Sequence, residues 1–129
     1  MIAAVGTADG VLLVDVETEL VLGPGTEVPE TEAPRVELPR VVATAGSGST
    51  VVALLDRRPP LALSNDGGRT WREAGGGLPP GFAVAVAEDD PDRMLYAARN
   101  WLYVSANGGV FWRSLEPELP DIVALAWLD

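Results

Sequence analysis

The feature that most constrains this chain is an internal repeat with a period of about 40 residues. The stretch SNDGGRTW begins at Ser64, and a related stretch, SANGGVFW, begins 41 positions later at Ser105. The dipeptide Leu78–Pro79 recurs at the same spacing as Leu119–Pro120. Repeats of this length are typical of propeller blades, each of which is a four-stranded antiparallel sheet. The repeat therefore predicts an all-β chain built from similar sheets.

The stretch that begins at Ser64 has the composition of a hairpin tip. Asp66 can accept hydrogen bonds from the amides of the turn, and Gly67 and Gly68 can adopt the positive φ angles that a tight reversal needs. Trp71 lies on the returning strand, where a large ring can cover the base of the hairpin. We therefore expect these residues to build a turn and not an active site.

The stretch SNDGGRTW resembles the Asp-box of the BNR-repeat families, whose pattern is S-x-D-x-G-x-T-W, and every defined position matches. The second stretch keeps the serine, both glycines and the tryptophan, but it has Asn107 for the aspartate and Phe111 for the threonine. The resemblance implies a β-propeller similar to those of sialidases, sortilin-like receptors and photosystem II assembly factors. It also implies a structural role for the motif residues. These are Ser64, Asp66, Gly68, Thr70 and Trp71 in the first copy and Ser105, Asn107, Gly109 and Trp112 in the second.

The repeat divides the 129 residues into three predicted blades within one domain. The chain begins at the second strand of a blade and ends on a segment, 121–129, that matches the first strand of a blade. This circular offset predicts that the last segment completes the first blade of its own chain or of a partner chain. The blades cover about residues 1–22, 41–78 and 79–120, with an insert loop at 23–40.

The predicted strands follow the turn signals in each blade. In the first blade they are Ile2–Val5, Val11–Val14 and Glu19–Leu22. In the second they are Val41–Ala45, Val51–Leu55, Leu61–Ser64 and Thr70–Glu73. In the third they are Phe82–Ala87, Met94–Ala98, Trp101–Ser105 and Phe111–Ser114.

Three blades are too few to close a ring, since propellers typically have about four to eight. A free arc would also expose two apolar blade faces. We therefore expect a six-bladed ring formed by a C2 homodimer, in which each C-terminal strand completes the first blade of the partner. The alternatives are a piece of a longer propeller and an arc that pairs with a different protein.

The insert at 23–40, GPGTEVPETEAPRVELPR, has no periodicity and is rich in Pro, Glu and Thr. Its composition predicts a solvated connection, and the functional alternative is a flap over one end of the ring. The acidic run Glu88–Asp92 lacks the spacing of an EF-hand and is expected to be a solvated turn.

The charge and composition limit the partners of the chain. The net charge is −10, with 19 acidic residues against nine basic ones that are all arginine, so nucleic acid is a poor partner. Because the sequence has neither cysteine nor histidine, no metal site and no cofactor are expected. The N-terminus lacks the basic region of a signal peptide and no apolar run approaches about 18 residues, which predicts a cytoplasmic protein without a membrane contact.

Ligands of propellers usually bind at the end of the ring where the connections between second and third strands gather. The candidate ligand-binding residues at this predicted mouth are Asp9, Asp56, Arg57, Arg58, Arg99, Asn100 and Trp101. Arg58 and Arg99 are separated by the repeat length, which predicts equivalent places. Their guanidinium groups could hold a carboxylate, sulfate or phosphate. The alternative is that these side chains only form surface ion pairs.

We therefore expect a non-catalytic binding or scaffold propeller that holds a small anion or an acidic peptide. The alternative is a glycan-binding module or a glycosidase-like hydrolase that uses Trp101 with Asp9 and Asp56. The resemblance to sialidases implies a tyrosine nucleophile and an arginine triad. However, the two tyrosines, Tyr96 and Tyr103, fall on predicted strands and the triad does not map onto this chain. We therefore predict no catalytic residue.

Overall fold

The computed structural model of the chain describes residues 1–128. Within that range there are twelve β-strands and no helix, so no helix there is long and apolar enough to cross a membrane. The strands are β1 (Ile2–Thr7), β2 (Gly10–Asp15), β3 (Leu20–Pro24), β4 (Val41–Ser47), β5 (Thr50–Leu55), β6 (Leu61–Ser64), β7 (Arg72–Ala74), β8 (Gly81–Val86), β9 (Met94–Ala98), β10 (Leu102–Ser105), β11 (Arg113–Ser114) and β12 (Ile122–Trp127).

The strands form three four-stranded antiparallel sheets, which we call blades 1 to 3. Blade 1 has the order β12-β1-β2-β3, blade 2 the order β4-β5-β6-β7 and blade 3 the order β8-β9-β10-β11. Blade 1 therefore takes its first strand from the C-terminus of the chain. The predicted all-β architecture and its circular offset are confirmed.

The C-terminal strand β12 pairs with β1 of the same chain, with Val5 opposite Leu125. The connection before β12 follows blade 3, because the amide of Leu119 donates to the carbonyl of Asn100 and that of Ile122 to the carbonyl of Arg99. This path delivers β12 beside β8, within reach of its own β1. In this structure the four strands of blade 1 thus come from one chain. The last residue of the predicted closing segment, Asp129, lies outside the described residues.

The predicted strands agree with the observed ones to within two residues at each end, and β6 and β9 have the predicted bounds. The fourth strands begin two residues late, at Arg72 in blade 2 and Arg113 in blade 3. The reason lies in the motif turn, because the amide of Thr70 donates to Asp66 instead of joining the sheet. Strand β3 extends two residues into the predicted insert.

Blade 3 lies between blades 1 and 2 and is covered on both faces. Ala83 and Leu95 belong to the core that it shares with blade 1, whereas Val84, Met94 and Tyr96 belong to the core that it shares with blade 2. All five residues of β9 are buried for this reason, so the strand shows no alternation of apolar and polar residues. The order in space is therefore blade 2, blade 3, blade 1.

The insert packs against both outer blades. Near its start, the amide of Gly25 donates to the carbonyl of Val11 in β2, and Val28 lies over Gly6 in β1. Near its end, Val36 and Leu38 pack on the outer face of blade 2. Most of the insert is exposed, as its composition suggested, but Val28, Val36 and Leu38 are half-buried against the blades. It covers apolar surface that a bare arc would leave exposed.

Each innermost strand, β4, β8 and β12, begins with a shift in register. The residues at the shifts are Val42, Phe82 and Val123, and all three side chains are exposed. A β-bulge of this kind re-aims a side chain at the end of a strand. The end of the arc at which these strands start therefore carries an exposed apolar rim.

Candidate functional site

The motif turn of blade 2 is held together by its own aspartate. Asp66 Oδ1 accepts hydrogen bonds from the amides of Arg69 at 3.1 Å and Thr70 at 2.9 Å, and Oδ2 accepts one from Thr70 Oγ1 at 2.6 Å. The amide of Gly68 donates to Ser64 Oγ at 2.8 Å. These bonds, above all that from the Thr70 hydroxyl, hold the pKa of Asp66 well below its usual value of 3.8. The carboxylate is thus committed to the turn.

The motif turn of blade 3 keeps the backbone part of this pattern without a carboxylate. Asn107 Oδ1 accepts a hydrogen bond from the amide of Phe111 at 2.9 Å, and the amide of Gly109 donates to Ser105 Oγ at 2.9 Å. The indole nitrogen of Trp112 donates to the carbonyl of Gly109 at 3.0 Å. An amide oxygen is therefore sufficient to close this turn.

Blade 1 closes the corresponding turn with Asp15, a residue that the sequence analysis missed. Asp15 Oδ1 accepts a hydrogen bond from the amide of Glu17 at 3.0 Å and a longer one from that of Thr18 at 3.4 Å. The hydrogen bond from the Thr18 amide is the main cause that lowers the pKa of Asp15. An aspartate at the end of a strand, before a polar turn, was the available signal.

The predicted mouth residues lie on three separate turns. Asp9 follows β1, Asp56, Arg57 and Arg58 follow β5, and Arg99, Asn100 and Trp101 follow β9. Several are already paired: Arg57 Nη1 lies 3.2 Å from Glu73 Oε2, Arg99 Nε lies 3.5 Å from Asp121 Oδ1, and Asn100 Nδ2 donates to Glu118 Oε1 at 2.8 Å. Arg57 and Arg58 line two different clefts. The structure therefore does not bring the arginines into one cavity.

Arg58 and Arg99 do not occupy equivalent places, because the two turns differ in length. In blade 2 the amide of Leu55 donates to the carbonyl of Pro60, which encloses four residues. In blade 3 the amide of Ala98 donates to the carbonyl of Trp101, which encloses two. The repeat length of 41 therefore holds for the third and fourth strands and not for this turn.

Three of the four tryptophans, Trp71, Trp112 and Trp127, pack against core clusters. Trp71 is half-buried on the outer face of blade 2, and the ring of Trp112 meets Tyr96 edge to face with centroids 6.0 Å apart. Trp101 is half-buried on its turn. Trp127 lines a small cavity of about 260 Å³ beside blade 3, and it also lines a larger cavity where the three innermost strands end.

The axial cavity has a volume of about 680 Å³ and lies where the three innermost strands end. Blade 2 contributes Ala45–Gly48, blade 3 contributes the end of β8 with Glu88 and Asp89, and blade 1 contributes Ala126–Leu128. The insert lines a further side with Glu30–Glu32. The cavity therefore forms within one chain, at the end of the arc opposite the predicted mouth.

The lining of the axial cavity is acidic. Glu30 and Glu32 face it from the insert and Glu88 and Asp89 from blade 3, and its lining contains no basic residue. Ser47 Oγ donates to the carbonyl of Glu88 at 3.0 Å, which ties the walls of blades 2 and 3 together. Fixed like charges around a recess concentrate ions of the opposite sign. The cavity is therefore suited to a cationic ligand.

Neither a protein-family model nor a curated protein matches this chain. Among solved structures, a GH74 enzyme from Niastella koreensis aligns with 94% of this chain, at 21% sequence identity and a TM-score of 0.49. The chain spans 18% of that enzyme's length. A likeness at this level carries no information about activity or ligand.

Proposed function

We propose that this chain is a non-catalytic binding or scaffold propeller whose ligand is a small polycation held in the axial cavity. The observation that carries the proposal is the cavity itself, which the ends of three strands and the insert line within one chain. Its volume of about 680 Å³ lies within the range of about 300–1,000 Å³ that is usual for small-molecule sites.

The acidic groups of the axial cavity come from two parts of the chain. Glu30 and Glu32 approach from the insert, and Glu88 and Asp89 from blade 3. A ligand with a single charge would meet one pair and leave the other unpaired. A linear polyamine carries several ammonium groups and can contact both pairs, so this class of ligand fits the site best.

Calorimetric titration with spermine at low ionic strength tests the proposal. We expect saturable binding at one site, and we expect the double variant Glu32→Gln/Glu88→Gln to bind about tenfold more weakly, which corresponds to about 1.4 kcal/mol. The control variant Glu27→Gln/Glu116→Gln removes the same charge outside the cavity and should change the affinity by about twofold or less. Equal losses in the two variants would show general attraction to an acidic protein and would contradict the proposal.

Three expectations from the sequence stay predictions. The anion site at the predicted mouth would be supported if Arg58→Ala/Arg99→Ala abolished sulfate binding. A C2 homodimer would have twice the chain mass of 13.6 kDa in light scattering, whereas a monomer would have the mass of one chain. The cytoplasmic location needs a measurement in cells.

A glycan-binding or glycosidase-like function is the alternative. Tyr96 does not fit the role of a sialidase-type nucleophile, because it is fully buried and its hydroxyl donates to the carbonyl of Pro79. Burial also raises the pKa of Tyr96, which disfavours the phenolate. Hydrolysis of an aryl-glycoside panel that is lost in Asp9→Ala or Asp56→Ala would favour the alternative over the binding function.

A further inference from the structure

A second cleft, of about 430 Å³, lies between the end of the insert and the outer face of blade 2. Its floor is apolar, because Leu38 of the insert and the indole of Trp71 pack against Leu55 and Ala62 of the sheet. An indole ring beside aliphatic side chains offers a flat apolar surface to an aromatic ring. We call this the Trp71 cleft.

The rim of the Trp71 cleft is basic in an otherwise acidic protein. Arg40, Arg57 and Arg72 line it, which is three of the nine basic residues in a chain of net charge −10. The lining contains one acidic residue, Glu73, and it pairs with Arg57 at 3.2 Å. The rim therefore has a surplus of positive charge.

Arg40 is the arginine whose charge is available to a ligand. Within residues 1–128 its side chain makes no hydrogen bond or ion pair, whereas Arg72 Nη2 donates to the carbonyl of Gly108 at 3.1 Å. The backbone of Arg40 is left-handed, with φ 61°, and its carbonyl accepts a hydrogen bond from the amide of Asp56. A non-glycine residue seldom adopts this conformation, and such strain is concentrated at binding sites.

We propose that the Trp71 cleft binds a small aromatic carboxylate. The ring of the ligand lies on Trp71 and Leu38, and its carboxylate is held by the guanidinium groups of Arg40 and Arg57, which bind carboxylates through paired hydrogen bonds. Arg57 can serve the ligand and Glu73 together, because a guanidinium has five N–H donors. This site goes beyond the axial cavity, since it takes a ligand of opposite charge on a different face of the molecule.

Titration with naphthalene-2-carboxylate, compared with its neutral carboxamide, tests the site. We expect the carboxylate to saturate one site and the carboxamide to bind about tenfold more weakly. Arg40→Gln should lower the affinity for the carboxylate by a similar factor and leave the affinity for the carboxamide unchanged. Arg35→Gln is the matched control, because Arg35 is an exposed arginine of the same insert that lies outside the cleft.

Leu38→Ala provides a second readout, because it removes part of the apolar floor of the Trp71 cleft and should lower the affinity for both compounds equally. Far-UV circular dichroism establishes that each variant is folded. Three outcomes would overturn the proposal: no saturation with the carboxylate, equal affinity for the carboxamide, or equal effects of Arg40→Gln and Arg35→Gln.

Discussion

A glycine-to-alanine pair tests how the blades pack on one another. Gly68 and Gly109 occupy the same place in the two motif turns, and both have left-handed backbones, with φ of 95° and 82°. Alanine in this conformation is strained by about 1–2 kcal/mol. The surroundings differ: a Cβ on Gly109 would lie 2.7 Å from Leu63 Cδ1 of blade 2, whereas the nearest atom to a Cβ on Gly68 is Trp71 Cζ2 at 3.5 Å.

The difference between the two positions sets the expected magnitudes. A separation of 3.5 Å is an ordinary contact, so Gly68→Ala should lower the free energy of unfolding by the backbone strain alone, about 1–2 kcal/mol. A separation of 2.7 Å forces the buried Leu63 to move, and overpacking of a core costs about 1–3 kcal/mol more. Gly109→Ala should therefore be the more destabilising variant, by about 1–3 kcal/mol.

Equilibrium unfolding in urea, followed by tryptophan fluorescence, measures both variants. The midpoints should fall while the dependence on urea concentration stays that of the unmodified chain, because the surface exposed on unfolding does not change. Equal losses of stability in the two variants would refute the reasoning, since they would mean that the turn of blade 3 does not rest on blade 2.

Three further changes test other parts of the structure. The pKa of Asp66 is lower in the folded chain than its usual 3.8, so the carboxylate stabilises the fold above about pH 4 and this stabilisation is lost as the pH falls further. Thermal scans should therefore show that acidification lowers the stability of Asp66→Asn less than that of the unmodified chain. Tyr96→Phe leaves the carbonyl of Pro79 without its donor and should lower the free energy of unfolding in urea by about 1–2 kcal/mol; an unchanged value would exclude that hydrogen bond. Leu38→Ala uncovers the outer face of blade 2, so it should lower the free energy of unfolding by about 1–2 kcal/mol and increase the binding of an apolar dye. No change in either quantity would mean that the insert does not pack on blade 2.

The sequence was sufficient to locate the strands because turn chemistry is local. Asp66, Gly67 and Gly68 form a turn from contacts within the motif, and the returning strand must follow it. The copy at Ser105 then places the strands of the next blade. The late starts of β7 and β11 arise because Asp66 and Asn107 take backbone amides away from the sheet.

The path of the insert could not be predicted, because its contacts are distant in sequence. Val28, Val36 and Leu38 are interrupted by prolines and acidic residues, so they show no period that would indicate a packed segment. Their partial burial depends on two blade faces that exist only in the folded chain. For the same reason, the axial cavity and its insert residues Glu30 and Glu32 gave no signal.

The equivalence of Arg58 and Arg99 could not be read from the repeat, because equal spacing in sequence does not guarantee equal geometry. The two turns place their arginines differently, because they differ in length. The turn between Leu55 and Pro60 has four residues, and the turn between Ala98 and Trp101 has two. Arg57 and Arg99 also form separate ion pairs, with Glu73 and Asp121.

The most direct test of a polycation site in the axial cavity is an NMR titration of the ¹⁵N-labelled chain with spermine. We predict that the amide signals of residues 30–32, Ser47, Gly48, Glu88 and Asp89 shift together and saturate with one binding constant. Signals of Arg57 and Arg99, at the opposite end of the arc, should not move. Shifts confined to that opposite end, or scattered over the whole surface without saturation, would contradict the account.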